Sequence, residues 1–354
     1  MHAALSSRTV ASAFILSLLL LYTPEVRSQS MTRNGGDFSN QLQPKKSVPT
    51  DVILVKGASA QSSDLITALP EGGKVIDGAY TNAYFGLDFV LPVNWTKLYD
   101  GPPPSDSGSY VLVELEPADT FKGAARGTVL VTAEDLFFTP TGATNARELV
   151  DFSRSHLIAD YKLEQAPTQV RFAGHSFIRF DYSSSVSGLH WRVLATQIRC
   201  HALQFVFTSR DPKLVETLMQ EMSGMKLPEE TGINGGSGGG QFPACIRDYA
   251  NETNVIERAD PILTQHRFNP VPVRVIIDTE GKIKHAHVLS GFPDQSKSIM
   301  EVLQHWKFKP FLHDGQPVEV ETGILFGGRP RPAMPPLGIS SIPVRSPQAM
   351  AVAK

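Results

Sequence analysis

Apolar and polar positions alternate with a period of two along most of this chain, and helical spacing interrupts the alternation three times. In "DGAYTNAYFGLDFVLPVNW" (77–95), Tyr84, Phe85, Leu87, Phe89 and Leu91 suit a strand that Pro92 ends. "SYVLVELEP" and "GTVLVTAEDLFF" predict two further strands, separated by Gly- and Pro-rich turns. The period then changes. In "TNARELVDFSRSHLIADY", Leu149, Phe152, His156 and Leu157 share a helical face, and Asn145 with Glu148 forms a capping box. Strands return at "QVRFAGHSFIRFDYSS", "LHWRVLATQIR" and "HALQFVFTS". Asp211 as N-cap and Pro212 in the first turn start a second helix, with Leu214, Leu218 and Met222 as its buried stripe.

A different order follows in "VPVRVIIDTEGKIKHAHVLSG". Val271, Val273, Val275 and Ile277 make an apolar face, alternating with Pro272, Arg274 and Ile276. Asp278 to Gly281 supplies a tight turn, with Gly where positive φ is needed. Asp294 is placed to cap a helix whose Ile299, Val302, Leu303 and Trp306 share one face. "KFKP" leaves that helix and "HDG" turns the chain. In "PVEVETGILFG", Val318, Val320, Ile324 and Phe326 alternate with Glu319, Glu321 and Leu325 in a third long strand. The order strand, strand, helix, strand leaves one sheet edge open, and an open edge offers free N–H and C=O groups to an extended peptide. Glu319 and Glu321 can equally be charges that discourage such pairing.

These motifs carry a resemblance. "VRVIIDTEGKIKHAHVLSG", followed by "VLQHWKFKPFLHDGQPVEVETGILF", resembles the C-terminal domain of TonB proteins, with its hairpin, W-x-F-x-P helix exit and closing strand. The resemblance implies a periplasmic domain that meets outer-membrane transporters and holds a peptide by strand addition. The partner-binding edge is then expected at Pro317, Val318, Glu319, Val320, Glu321, Thr322 and Gly323, within a strand spanning 317–326. Residues 78–228, with an F-G-x-x-F-x-x-P-x-x-W start and a last strand followed by a helix, resemble PsbP-like domains. That group implies an α/β/α sandwich on an antiparallel sheet and a non-enzymatic adapter or envelope role.

Length and composition agree with two domains. The chain has 354 residues, and a 41% hydrophobic content is enough for real cores. The expected fold class is α+β: an antiparallel-sheet α/β/α sandwich at 77–228 and a small ββαβ domain at 242–328. "GINGGSGGG" lies within a linker at 229–241; it lacks the spacing of a phosphate-binding loop. Residues 29–76 read as a flexible leader with one strand-like piece, "DVILVKG", and 329–354 as a disordered Pro-rich tail. Arg8 followed by the apolar run Val10–Tyr22 reads as a secretory signal over 1–28, because a spanning helix needs about 20 apolar residues. The expected location is the periplasm or the exterior. Retention of residues 9–22 as an anchor is the runner-up, and would suit a TonB-type energy transducer in contact with the membrane. An envelope assembly protein is a third reading.

A net charge of −2 leaves no basic field for nucleic acid. Cys200 and Cys245 fall in different domains; independent thiols are the expectation, with pairing left open. His285 and His287 lie two apart on a strand, with His305 and His313 in reach, but no Cys or carboxylate completes a metal set. No hydrolase motif occurs, and "DYSSSVSGLHW" reads as a hairpin loop. The expectation is therefore no enzyme, no cofactor and no metal, with a protein partner such as an outer-membrane transporter peptide. Asn94 and Asn251 head glycosylation sequons, which matter only in a eukaryotic secretory path.

Overall fold

The computed structural model describes residues 59–62, 68–99, 108–118, 127–228, 242–262 and 270–327. The signal segment, "DVILVKG", the glycine linker and the tail lie outside the described residues. Part of the leader read as flexible is built into the fold. Its strand β1 (Ser59–Ser62) joins the C-terminal sheet, and β2 (Lys74–Ile76) joins a three-stranded sheet with β3 (Ala79–Asn82) and β4 (Leu87–Val90). Tyr84 and Phe85, read as strand residues, lie between β3 and β4. There the Asn82 side chain accepts hydrogen bonds from both of their backbone N–H groups.

The N-terminal unit is a sandwich. Its seven-stranded sheet contains β5 (Trp95–Tyr99), β6 (Ser109–Pro117), β7 (Gly127–Asp135), β8 (Tyr161–Phe172), β9 (His175–Ser184), β10 (Leu189–Ile198) and β11 (His201–Ser209). The order is β5-β6-β7-β11-β10-β9-β8, and every pairing is antiparallel. Helix α1 (Ala146–Ser155) covers one face and α2 (Pro212–Glu221) the other. Strand alternation divides β11 between them. Leu203, Phe205 and Phe207 pack with Val215 and Leu218 of α2, whereas Val206 packs with Val150 of α1.

The helix starts follow the sequence reading, with small shifts of face. Asn145 accepts from the Glu148 N–H at 2.9 Å, but the Glu148 carboxylate reaches back to the Thr144 N–H at 2.8 Å rather than to Asn145. Asp211 accepts from the Lys213 N–H at 2.9 Å. The buried residues of α1 are Ala146, Leu149, Val150 and Ser153; Phe152, His156 and Leu157 lie outside this set. In α2, Val215, Leu218 and Met219 are buried and Leu214 is only partly so. The neighbouring sheet faces set both rotations, which the helical period alone leaves free.

In the C-terminal unit, β12 (Ala244–Cys245) and β13 (Val255–Glu257) precede β14 (Val271–Ile277) and β15 (Ile283–Gly291). Helix α3 (Pro293–Leu303) follows, then β16 (Lys307–Phe308), β17 (Phe311–His313), β18 (Gln316–Val318) and β19 (Val320–Phe326). The sheet order is β1-β15-β14-β19-β12. Val271, Val273, Val275 and Ile277 face the core as read, together with Ile299, Leu303, Trp306 and Phe308. The Asp278–Gly281 turn is also as read. Gly281 has φ +83°, and a Cβ there would lie 1.9 Å from the Phe308 carbonyl oxygen. The α3 cap differs: Phe292 is the N-cap, Pro293 opens the helix, and Asp294 sits in the first turn where its charge meets the helix dipole.

The long closing strand is broken in two. Pro317 and Val318 lie in β18, which pairs with β17 in a hairpin, and Glu319 interrupts the chain before β19. Within "HWKFKP", Phe308 is fully buried, and Trp306 is buried with its indole N–H donating to the Ala259 carbonyl at 2.8 Å. Lys307 and Lys309 are exposed. Truncating a buried aromatic ring costs about 3–5 kcal/mol. Phe308→Ala is therefore expected to lower the urea unfolding midpoint of the chain by that equivalent, whereas Lys307→Ala is expected to leave it within about 0.5 kcal/mol.

Candidate partner-binding edge and buried interdomain site

The two units meet face to end. One face of the β14–β19 sheet carries the apolar core; the other packs on the loop end of the sandwich. Arg274, flanked in β14 by core residues, points to the second face and is buried there. Its guanidinium holds both Asp135 at the end of β7 and Glu321 on β19, the latter at 3.1 Å. Arg199, in the β10–β11 turn, pairs with Glu321 at 2.9 Å and lies over the Tyr84 ring, 3.9 Å from its centroid. The Tyr84 hydroxyl donates to Glu321 at 2.6 Å. Asp135 also accepts from the Phe137 N–H at 2.8 Å. Two cations therefore face two anions, all buried.

Electrostatics follow from that geometry. Burial raises the Glu321 carboxyl, but Arg199, Arg274 and the Tyr84 hydroxyl outweigh it and hold the group below the usual carboxylate range. Burial pushes Tyr84 up, which keeps its proton available for donation. His201 is buried among Tyr84, Phe85 and Tyr110; burial, then the charges of Arg274 and Arg199, hold it well below the ordinary histidine value, so it is neutral. Among the described residues neither ring nitrogen of His201 has a hydrogen-bond partner, and Asp135 is 3.9 Å away.

Close packing and a covalent link reinforce the contact. A Cβ on Gly323 would come within 2.7 Å of the Phe138 ring, so only glycine lets β19 approach the Phe137–Phe138 segment this closely. Arg247 donates to the Leu136 and Ala143 carbonyls, and Thr322 donates to the Arg247 carbonyl at 3.1 Å. Cys200 and Cys245 form a disulfide, with Cα atoms 5.5 Å apart. The expectation of independent thiols is thus corrected. The β10–β11 turn and the start of the second unit are neighbours in space, although the sequence places them in separate domains. Closing a loop with a sequence separation of 45 removes about 4 kcal/mol of unfolded-chain entropy.

The expected edge residues have separate fates. Pro317 and Val318 belong to the β17–β18 hairpin. Glu319 pairs with Lys284 at 2.7 Å, and its carbonyl accepts from the Ala244 N–H. Val320 is in the core. Glu321 is not a surface guard: its side chain is the buried hub, and its carbonyl accepts from the Ile246 N–H. Strand β12 thus covers the β19 edge at Val320 and Glu321, in parallel. Beyond it, no strand pairs outside Thr322–Phe326 among the described residues. The backbone alternates, so the N–H and C=O of Gly323 and Leu325 point to the same side as those of Glu321. His287 is buried and contacts Glu71 at 3.1 Å, and His313 lies 3.5 Å from Asp314.

Asp135, Arg199 and Arg274 escaped the sequence reading. One signal was present: Arg274 is a lone charge inside "VPVRVII", and a charge in so apolar a strand demands a buried partner.

Comparison with known proteins bears on the second unit. Residues 268–327 match the family described as Gram-negative bacterial TonB protein C-terminal. Over these residues the C-terminal unit is similar to a TonB C-terminal domain. No curated protein matches the chain at a significant level. Among solved structures, LpqN of Mycobacterium tuberculosis, described as involved in cell envelope biogenesis, is 13% identical with a TM-score of 0.27, over 46% of this chain and 85% of LpqN. CyanoP, the PsbP of the cyanobacterium Synechocystis, is 16% identical with a TM-score of 0.28, over 49% of this chain and 95% of CyanoP. Similarity at this level says nothing of function.

A carboxylate held below its ordinary value stabilises the fold above the unfolded pKa, and the gain disappears as pH falls through the folded one. Glu321→Gln is therefore expected to cost about 3–5 kcal/mol near neutral pH. Its deficit should shrink as pH falls below about 4, where the unfolded carboxyl takes a proton. Unfolding midpoints of both proteins from pH 7 to 3 check this; a deficit that stays constant would contradict it.

Proposed function

We propose that this is a non-enzymatic binding or adapter protein of the bacterial cell envelope, acting in transport across it. Its TonB-type domain takes an extended segment of a protein partner, such as an outer-membrane transporter, along the part of the β19 edge that β12 leaves open. The observation that carries this reading is the family match of residues 268–327, together with the outward backbone groups of Gly323 and Leu325. An incoming strand would continue the line of β12, and Leu325, half exposed, would flank it. The expected site therefore narrows from 317–326 to Thr322–Phe326.

A location in the periplasm or outside the cell fits the disulfide, which persists in oxidising compartments. No helix among the described residues is long and apolar enough to cross a membrane. The buried Arg274–Asp135 and Arg199–Glu321 contacts favour an adapter over a freely swinging transducer head, because they fix the binding domain to a second folded unit. NMR titration of the full chain with a peptide from the periplasmic end of an outer-membrane transporter tests the reading. Amide shifts confined to residues 322–327 and the adjoining β12 are expected; an unperturbed β19 would contradict it.

A further inference from the structure

The opposite edge of the same sheet is occupied by the chain itself. Strand β1 lies antiparallel on β15, pairing Ser59 with Gly291, Gln61 with Val288 and Ser62 with His287, with a bulge between Ser59 and Gln61. We propose that the β15 edge is a second strand-accepting site and that Ser59–Ser62 is its exchangeable resident. The ligand is an extended segment of another protein, rich in alternating β-branched or aromatic residues. This inference concerns a different edge from β19 and stands without the reading above.

Two observations make the resident exchangeable. First, its sequence, Ser-Ala-Gln-Ser, contains no β-branched or aromatic residue. Such a strand brings ladder hydrogen bonds and little else to the edge. Second, the chain is anchored soon afterwards against both units. The Asn82 side chain donates to the Pro70 carbonyl at 2.8 Å, and Glu71 meets His287, the β15 residue paired with Ser62, at 3.1 Å. A short tether supplies a high effective concentration, so a poor strand can hold a good edge. The edge itself is well built. From Ala286 to Gly291 every β15 residue is buried, and β14 supports the strand from the other side. A partner strand with stronger cross-strand pairs would keep the same ladder and add side-chain packing, so it can displace the resident despite the tether. The bulge at Ser59/Gln61 already breaks the resident ladder, and exchange would begin there.

The test compares the full chain with an Ala60→Pro, Gln61→Pro variant. Consecutive strand residues point their N–H groups to opposite sides, so one of the two prolines must remove a ladder donor. The probe is a soluble synthetic peptide of alternating Thr and Val with a Lys at each end. The variant is expected to bind it at least tenfold more tightly than the parent, with amide shifts at Val288–Gly291, and to remain monomeric by light scattering. Equal affinity in both proteins, or β15 amides that do not respond in the variant, would overturn the proposal. A variant that dimerises through the freed edge would also overturn it, since the edge would then serve self-association. Thr322–Gly327 amides are read in the same spectra, so failure at β15 is distinguishable from failure of the β19 reading.

Discussion

The Arg274–Glu321 pair is the interaction on which the rest of this structure depends. Both residues belong to the C-terminal sheet, yet each is completed by the sandwich, Arg274 by Asp135 and Glu321 by Arg199 and Tyr84. A buried charge without its partner is costly, so neither sheet face nor sandwich end is self-sufficient. The cost of separating the units is therefore set by four desolvated charges rather than by apolar area alone. The disulfide lies beside the same cluster, because Cys200 follows Arg199 and Cys245 pairs with Glu321 across β12 and β19.

This arrangement decides which surfaces remain for function. One face of the C-terminal sheet is filled by α3, Trp306 and Phe308, and the other by the sandwich. Among the described residues, the edges of this sheet are what is left. On one side β12 takes Val320 and Glu321; on the other β1 takes part of β15. Both coverings come from outside the domain's own hairpin, β1 from the leader before the sandwich and β12 from just after the linker. The chain thus uses segments flanking its units to protect exposed strand edges, which would otherwise template aggregation. Protection of this kind is partial by construction, and a partner can use what it leaves.

Local patterns carried much of the fold. The alternation of Val271 to Ile277, the Asp278–Gly281 turn, the Asp211 cap and the burial of Trp306 and Phe308 all rest on neighbours within a few residues, and all were legible. The site was not. Arg274 and Asp135 are 139 positions apart, Arg199 and Glu321 are 122 apart, and Tyr84 and Glu321 are 237 apart. No period or spacing encodes contacts at such range. Glu321 looked like a surface guard because it alternates with core residues, and alternation says which face a residue takes, not what covers that face. The same reasoning explains the two cysteines, whose pairing depends on a docking that neither domain's sequence announces.

The central claim is that the two units behave as one cooperative body, held by buried charges. Differential scanning calorimetry of the oxidised full chain tests it most directly. The account predicts a single transition whose calorimetric and van't Hoff enthalpies agree. Two separable transitions, with the C-terminal unit melting on its own, would contradict it.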